Sequence, residues 1–88
     1  MDKHYIAYIK TECPFCVQAR DELFRQKVNH TIYVMDDNLE ALQTLKDFHN
    51  HPTVPIILVQ DIMAKRTLIG GYTDLKEHFD SAVKDDRV

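Results

Sequence analysis

The stretch Thr11-Glu12-Cys13-Pro14-Phe15-Cys16 decides the reading of this chain. It holds the only two cysteines among 88 residues, spaced Cys-x-x-Cys, with proline directly after the first. Upstream lies His4-Tyr5-Ile6-Ala7-Tyr8-Ile9, apolar on both alternations, as a strand buried on both faces is. Downstream, Pro14 stands where a helix can start, because its missing N–H costs nothing at the first helical position. Two thiols at a strand-to-helix junction can close into a small disulfide and reopen, which is redox chemistry on a rigid platform.

The flanking pattern follows from periodicity. Helical spacing sets Val17, Phe24 and Val28 in one row, with Ala19 and Leu23 beside it and Arg20, Asp21 and Arg25 toward water. Thr31 to Met35 is β-branched and aromatic and reads as a second strand. Asp36, Asp37 and Asn38 are cap residues, followed by Ala41, Leu42, Leu45 and Phe48 at the three-four interval. His49-Asn50-His51-Pro52 ends that helix. Pro55 to Val59 is a third strand with proline at its first position. Gln60 to Lys65 is a turn, and Arg66 to Ile69 a short fourth strand. Gly70-Gly71 are the only glycines and mark a sharp turn or close approach. Leu75, Phe79, Ala82 and Val83 form a last amphipathic helix beginning near Thr73 or Asp74. Tyr5, Tyr8, Tyr33 and the helix leucines are expected in the core. The order is β-α-β-α-β-β-α, an α/β fold. Its β-α-β opening implies a parallel pair with a right-handed crossover, and its β-β pair an antiparallel hairpin. A mixed four-stranded sheet with helices on both faces follows.

Length and composition narrow the function. Residues 1–88 suffice for one small domain. The apolar fraction is 44% and the net charge −3, with acids and bases interleaved, which makes no case for nucleic acid or an anionic membrane. The N-terminal residues show no signal peptide, and the longest apolar run, about five residues, is far short of a membrane span of about 20. A cytoplasmic location is expected, where a disulfide staple is disfavoured.

A thiol at a helix N-terminus faces unpaired N–H groups that favour its ionised form. Cys13 is therefore the expected nucleophile, with Lys10 adding positive charge nearby. Cys16, one turn deeper beside Ala19 and Leu23, suits the resolving role.

Cys13-Pro14-Phe15-Cys16, Thr53-Val54-Pro55 and Gly70-Gly71-Tyr72-Thr73-Asp74 stand in the order and approximate spacing of the glutaredoxins, small thioredoxin-fold oxidoreductases. The chain resembles that family from Tyr5 to Phe79. The resemblance implies a thioredoxin-like fold and a glutathione-dependent thiol–disulfide oxidoreductase, acting as a monomer on disulfide-bonded or glutathionylated proteins. It implies Cys13 as the nucleophile and Cys16 as the resolving thiol. It further implies that Lys10 contacts a glutathione carboxylate and that Phe15 lines the groove, keeping the ring of the family's usual tyrosine without its hydroxyl. Thr53, Val54 and a cis Pro55 would flank the site, Val54 pairing main chain to main chain with the cysteinyl unit. Gly71 would let the backbone pass close to the ligand, and Thr73 and Asp74 would hold the γ-glutamyl end. The connection from Pro55 to Gly70 is longer than in compact members, and it carries the apolar Ile62 and Met63.

Competing readings differ in chemistry. A zinc-stabilised module would need further ligands, and His4, His30, His49 and His51 offer no convincing spacing, so no metal is expected. An iron–sulfur carrier bridged by glutathione is disfavoured by the stiffness of Pro14. A redoxin reduced by thioredoxin reductase and serving ribonucleotide reductase is the nearest alternative.

Overall fold

The computed structural model describes residues 3–86, and the side chains of residues 3–81. The expected apolar positions Ala82 and Val83, like Met1 and Asp2, fall outside the described side chains. The elements are β1 (His4–Ile9), α1 (Pro14–Arg25), β2 (Asn29–Val34), α2 (Leu39–His49), β3 (Ile56–Gln60), β4 (Arg66–Gly70) and α3 (Tyr72–Asp86). They form one four-stranded sheet in the order β2-β1-β3-β4. β1 pairs parallel with β2 and antiparallel with β3, and β3 pairs antiparallel with β4. This is the mixed four-stranded sheet that the element order predicts and the thioredoxin-like arrangement that the family resemblance implies.

The alternation of β1 explains why helices cover both faces. Tyr5, Ala7 and Ile9 point into a core with Cys16, Ala19 and Leu23 of α1, Ile57 of β3, and Leu75 and Phe79 of α3. Tyr8 points the other way, with Ile56, Met35 and Leu42 of α2. A strand clothed on both sides cannot alternate apolar with polar, which is why β1 and β3 read as continuous apolar runs.

The helix faces differ from expectation at three places. The buried stripe of α1 runs through Cys16, Ala19 and Leu23, while Val17 is exposed and Phe24 is 78% exposed. The helix ends at Arg25, and Lys27 turns the chain with φ 57°, so Val28 reaches the core from the turn rather than from a helical row. On α2, Leu42 is buried, but Phe48 is 80% exposed because the core beneath that face ends with Leu45. Tyr33 belongs to the edge strand β2 and lies half-exposed, stacked on Tyr8 with ring centres 5.2 Å apart.

The β3–β4 connection is an ordered turn. Asp61 Oδ1 accepts from the main-chain N–H groups of Met63 and Lys65, each at 2.9 Å, and Asp61 N–H donates to the Lys65 carbonyl at 2.9 Å. This side-chain turn carries Ile62 and Met63 outward into solvent. A register irregularity at Ile57 and Leu58 absorbs the mismatch between the two strands.

Candidate active site

Cys13 stands at the N-cap of α1 with extended backbone, φ −145° and ψ 107°. Its sulfur does what a capping oxygen normally does, accepting from the Cys16 main-chain N–H at 3.3 Å. Val17 N–H closes the first turn onto the Cys13 carbonyl at 3.0 Å. The Cys13 S–H points at the Val54 carbonyl oxygen, 3.8 Å away. The helix start and the segment ahead of Pro55, 41 residues apart in sequence, thus meet at one sulfur.

The two thiols occupy different environments. Both are free; Cys13 is half-buried and Cys16 is fully buried. Burial pushes the Cys16 thiol up to about 12, helped by its hydrogen bond to Cys13 and opposed by a main-chain hydrogen bond at Lys10. At neutral pH Cys16 is therefore a protonated donor beside Cys13.

The approach to Cys13 is held from the β2–α2 loop. Thr11 N–H donates to Asp36 Oδ1 at 2.9 Å, and hydrogen bonding from Thr11 holds the Asp36 carboxyl below its ordinary range. Of the three expected cap residues, Asn38 caps α2, accepting from Ala41 N–H at 3.3 Å. Asp36 instead pins the loop before the cysteines. Behind the site, Glu22 is only 2% exposed yet charged. Burial pushes its carboxyl up, but hydrogen bonds from Gln26 and Arg25 prevail and hold it below the usual carboxylate range.

Beside Cys13 opens a groove of about 200 Å³. It unites Phe15 from α1, Thr53, Val54 and Pro55 from the segment before β3, and Gly71, Thr73 and Asp74 from the start of α3. The Val54–Pro55 peptide bond is cis. Lys10, at the end of β1, is not among the groove-lining residues. Two residues that sequence reasoning did not assign to the site complete the groove, His51 and Tyr72. Tyr72 stacks on Phe15 with ring centres 6.4 Å apart, and its place directly after the double glycine was the available signal. His51 Nε2 is buried without a hydrogen-bond partner among the described residues, which costs about 1–3 kcal/mol if nothing else engages it.

The double glycine divides its work. Gly70 has φ +124°, and a Cβ there would fall 2.2 Å from Asp74 Oδ2. Gly71 has room: a Cβ would meet nothing closer than 3.9 Å. Asp74 Oδ2 accepts from Gly71 N–H at 2.9 Å, reaching back from the third helical position to the residue before the helix. A larger open depression of about 700 Å³ lies between the β3–β4 hairpin and α3, lined by residues including Lys3, Lys65 and Glu77. Neither lining includes a thiol, and it is the smaller groove that adjoins Cys13, through the Val54 carbonyl oxygen 3.8 Å from its sulfur. Among the described residues no cluster of three metal-ligating side chains occurs, and no helix is long and apolar enough to cross a membrane.

Comparison with known proteins agrees with this geometry. The chain is similar in structure to a dithiolic glutaredoxin of Trypanosoma brucei brucei, with a TM-score of 0.68 and 28% identity over 93% of this chain and 81% of that one. Its fold is also that of glutaredoxin 1 from Francisella tularensis, with a TM-score of 0.65 and 22% identity over 93% of this chain and 98% of that one. No curated protein sequence matches the chain. The glutaredoxin family model matches residues 6–63, a span that contains both cysteines and the Thr53-Val54-Pro55 segment. With that match and a dithiol at the start of α1, the chain belongs to the glutaredoxin family and is a thiol–disulfide oxidoreductase.

Proposed function

We propose that the protein reduces glutathione mixed disulfides and protein disulfides with glutathione as the electron donor. One observation carries the reading: a groove runs from Val54, whose carbonyl oxygen lies 3.8 Å from the half-buried sulfur of Cys13, to the N-terminus of α3. In this reading the cysteinyl unit of glutathione lies along Thr53, Val54 and Pro55, pairing with the main chain of Val54. Its γ-glutamyl end reaches Thr73 and Asp74. N–H groups at a helix start suit its carboxylate, and the Asp74 carboxylate suits its ammonium group. Gly71 leaves the space in between, and Phe15 with Tyr72 forms an apolar wall. Lys10 reaches a ligand carboxylate with its long side chain from outside the groove lining.

Two routes use the same sulfur. With a glutathionylated protein, the Cys13 thiolate attacks the glutathione sulfur. The protein thiolate leaves and takes up a proton, and Cys13 carries the glutathione. A second glutathione, as thiolate, attacks that sulfur, freeing Cys13 and forming glutathione disulfide. With a protein disulfide, Cys13 forms a mixed disulfide and expels one protein thiolate. Cys16 then loses its proton and attacks Cys13 Sγ, expelling the other. The Cys13–Cys16 disulfide is reduced by two glutathiones, which leave as one glutathione disulfide. The hydrogen bond and charge of Cys13 that hold the Cys16 proton vanish once Cys13 is in a disulfide, so Cys16 ionises more readily at the step that needs it.

Cys16→Ser is expected to keep deglutathionylation and lose most protein-disulfide reduction, and Cys13→Ser to lose both. Deglutathionylation that survives Cys13→Ser would end this assignment. Turnover with NADPH and thioredoxin reductase in the absence of glutathione would replace the proposed electron donor.

A further inference from the structure

We propose that His51 is a specificity-determining contact that hydrogen-bonds the γ-glutamyl carboxylate of the bound thiol peptide. The inference rests on the glutathione reading of the groove. It begins with how the backbone is held. α2 ends at Asn50 in the left-handed conformation, φ 52°. Asn50 N–H donates to the Asp47 carbonyl at 3.2 Å and His51 N–H to the Lys46 carbonyl at 2.9 Å. This paired arrangement terminates the helix and leaves no freedom at the His51 backbone, and Pro52 follows directly. The ring is thereby set in the wall between the groove beside Cys13 and a polar depression at the end of α2.

The nitrogen faces the ligand end of the groove. A Cβ on Gly71 would stand 3.9 Å from His51 Nε2 and 3.9 Å from the Pro55 carbonyl oxygen. The unpartnered Nε2 thus looks onto the stretch of main chain that leads into Thr73 and Asp74. A buried ring nitrogen without a partner is an unmet hydrogen bond, and this one belongs to a ring that lines the groove.

Charge selects the partner. Among the described residues lining the groove, His51 is the one side chain able to carry positive charge, and Asp74 is the one carboxylate. Asp74 Oδ2 is engaged by Gly71 N–H, which leaves the second carboxylate oxygen for an ammonium group. A γ-glutamyl head brings an ammonium and a carboxylate on one carbon. With Asp74 taking the first, His51 is placed to donate to the second.

The test compares one peptide carrying either a glutathione or a cysteinylglycine mixed disulfide, the latter lacking only the γ-glutamyl unit. His51→Leu is expected to raise KM for the glutathione form about tenfold or more, with kcat within about twofold. It should leave the cysteinylglycine form unchanged. His51→Gln, whose amide can donate from nearly the same place, should recover most of the loss. The ring nitrogen resonance of His51 should also shift on titration with unreactive S-methylglutathione, a signal that a purely packing role would not give. Equal losses on both substrates, no loss on either, or an unmoved resonance would overturn the proposal. A wild-type enzyme that does not prefer the glutathione form would overturn the groove reading itself. A wild-type preference that survives His51→Leu would overturn only the role of His51.

Discussion

Gly70→Ala tests the turn that presents the ligand end of the groove. The substitution has two costs. Gly70 sits at φ +124°, where a residue with a Cβ is strained by about 1–3 kcal/mol. The new Cβ would also stand 2.2 Å from Asp74 Oδ2 and 2.8 Å from its Cγ, so the Asp74 side chain must leave. Its departure breaks the 2.9 Å bond to Gly71 N–H, a cap contact of about 0.5–2 kcal/mol. The sum is about 1.5–5 kcal/mol, a large share of the about 5–15 kcal/mol that holds a small domain together. Urea denaturation of wild type, Gly70→Ala, Asp74→Ala and the double variant measures it. Asp74→Ala alone is expected to cost about 1 kcal/mol. In the double variant the clash and the cap have one cause, so its cost should fall about 1 kcal/mol short of the sum of the singles. Gly70→Ala that is neutral, or singles that simply add, would refute the coupling between this glycine and Asp74.

Two more predictions concern protons. The fold favours the ionised form of Glu22, so its stabilising contribution is complete above the ordinary carboxylate range and is lost as acid protonates it. The stability gap between wild type and Glu22→Gln should therefore narrow as pH is lowered from 7 to 3, and a gap independent of pH would count against the charged Glu22 network. In Cys13→Ser, iodoacetamide followed by mass spectrometry should find Cys16 inert at pH 7 and modified only as pH rises well above 9, because burial keeps its proton. Rapid alkylation at pH 7 would mean that Cys16 is accessible and ionised.

Much of the molecule was written in local pattern. The continuous apolar runs of β1 and β3 announced a sheet covered on both faces, and the caps and glycines placed the helix ends to within a few residues. Cys13 before Pro14 already implied a thiol at a helix start, since that follows from neighbours in sequence. What failed was the choice of helix face. Phe24 and Phe48 obey helical spacing as well as Leu23 and Leu42 do, and periodicity alone does not say which stripe meets the sheet. That is settled by the distances between elements, which leave both rings in solvent. The same limit hid the burial of Glu22. It also hid Asp36, which looks like a helix cap and instead ties down Thr11 across 25 residues.

Local sequence determined the elements, their order and which of the two thiols stands at the start of α1, because these depend on residues within a turn or two of one another. Only the tertiary structure decided what surrounds that sulfur. Val54 reaches Cys13, and His51 and Tyr72 join the groove, because the antiparallel pairing of β3 with β1 and β4 brings the segment before Pro55 and the start of α3 to the same end of the sheet as α1. Contacts between segments dozens of residues apart are fixed by sheet order and register, and no short-range pattern encodes them.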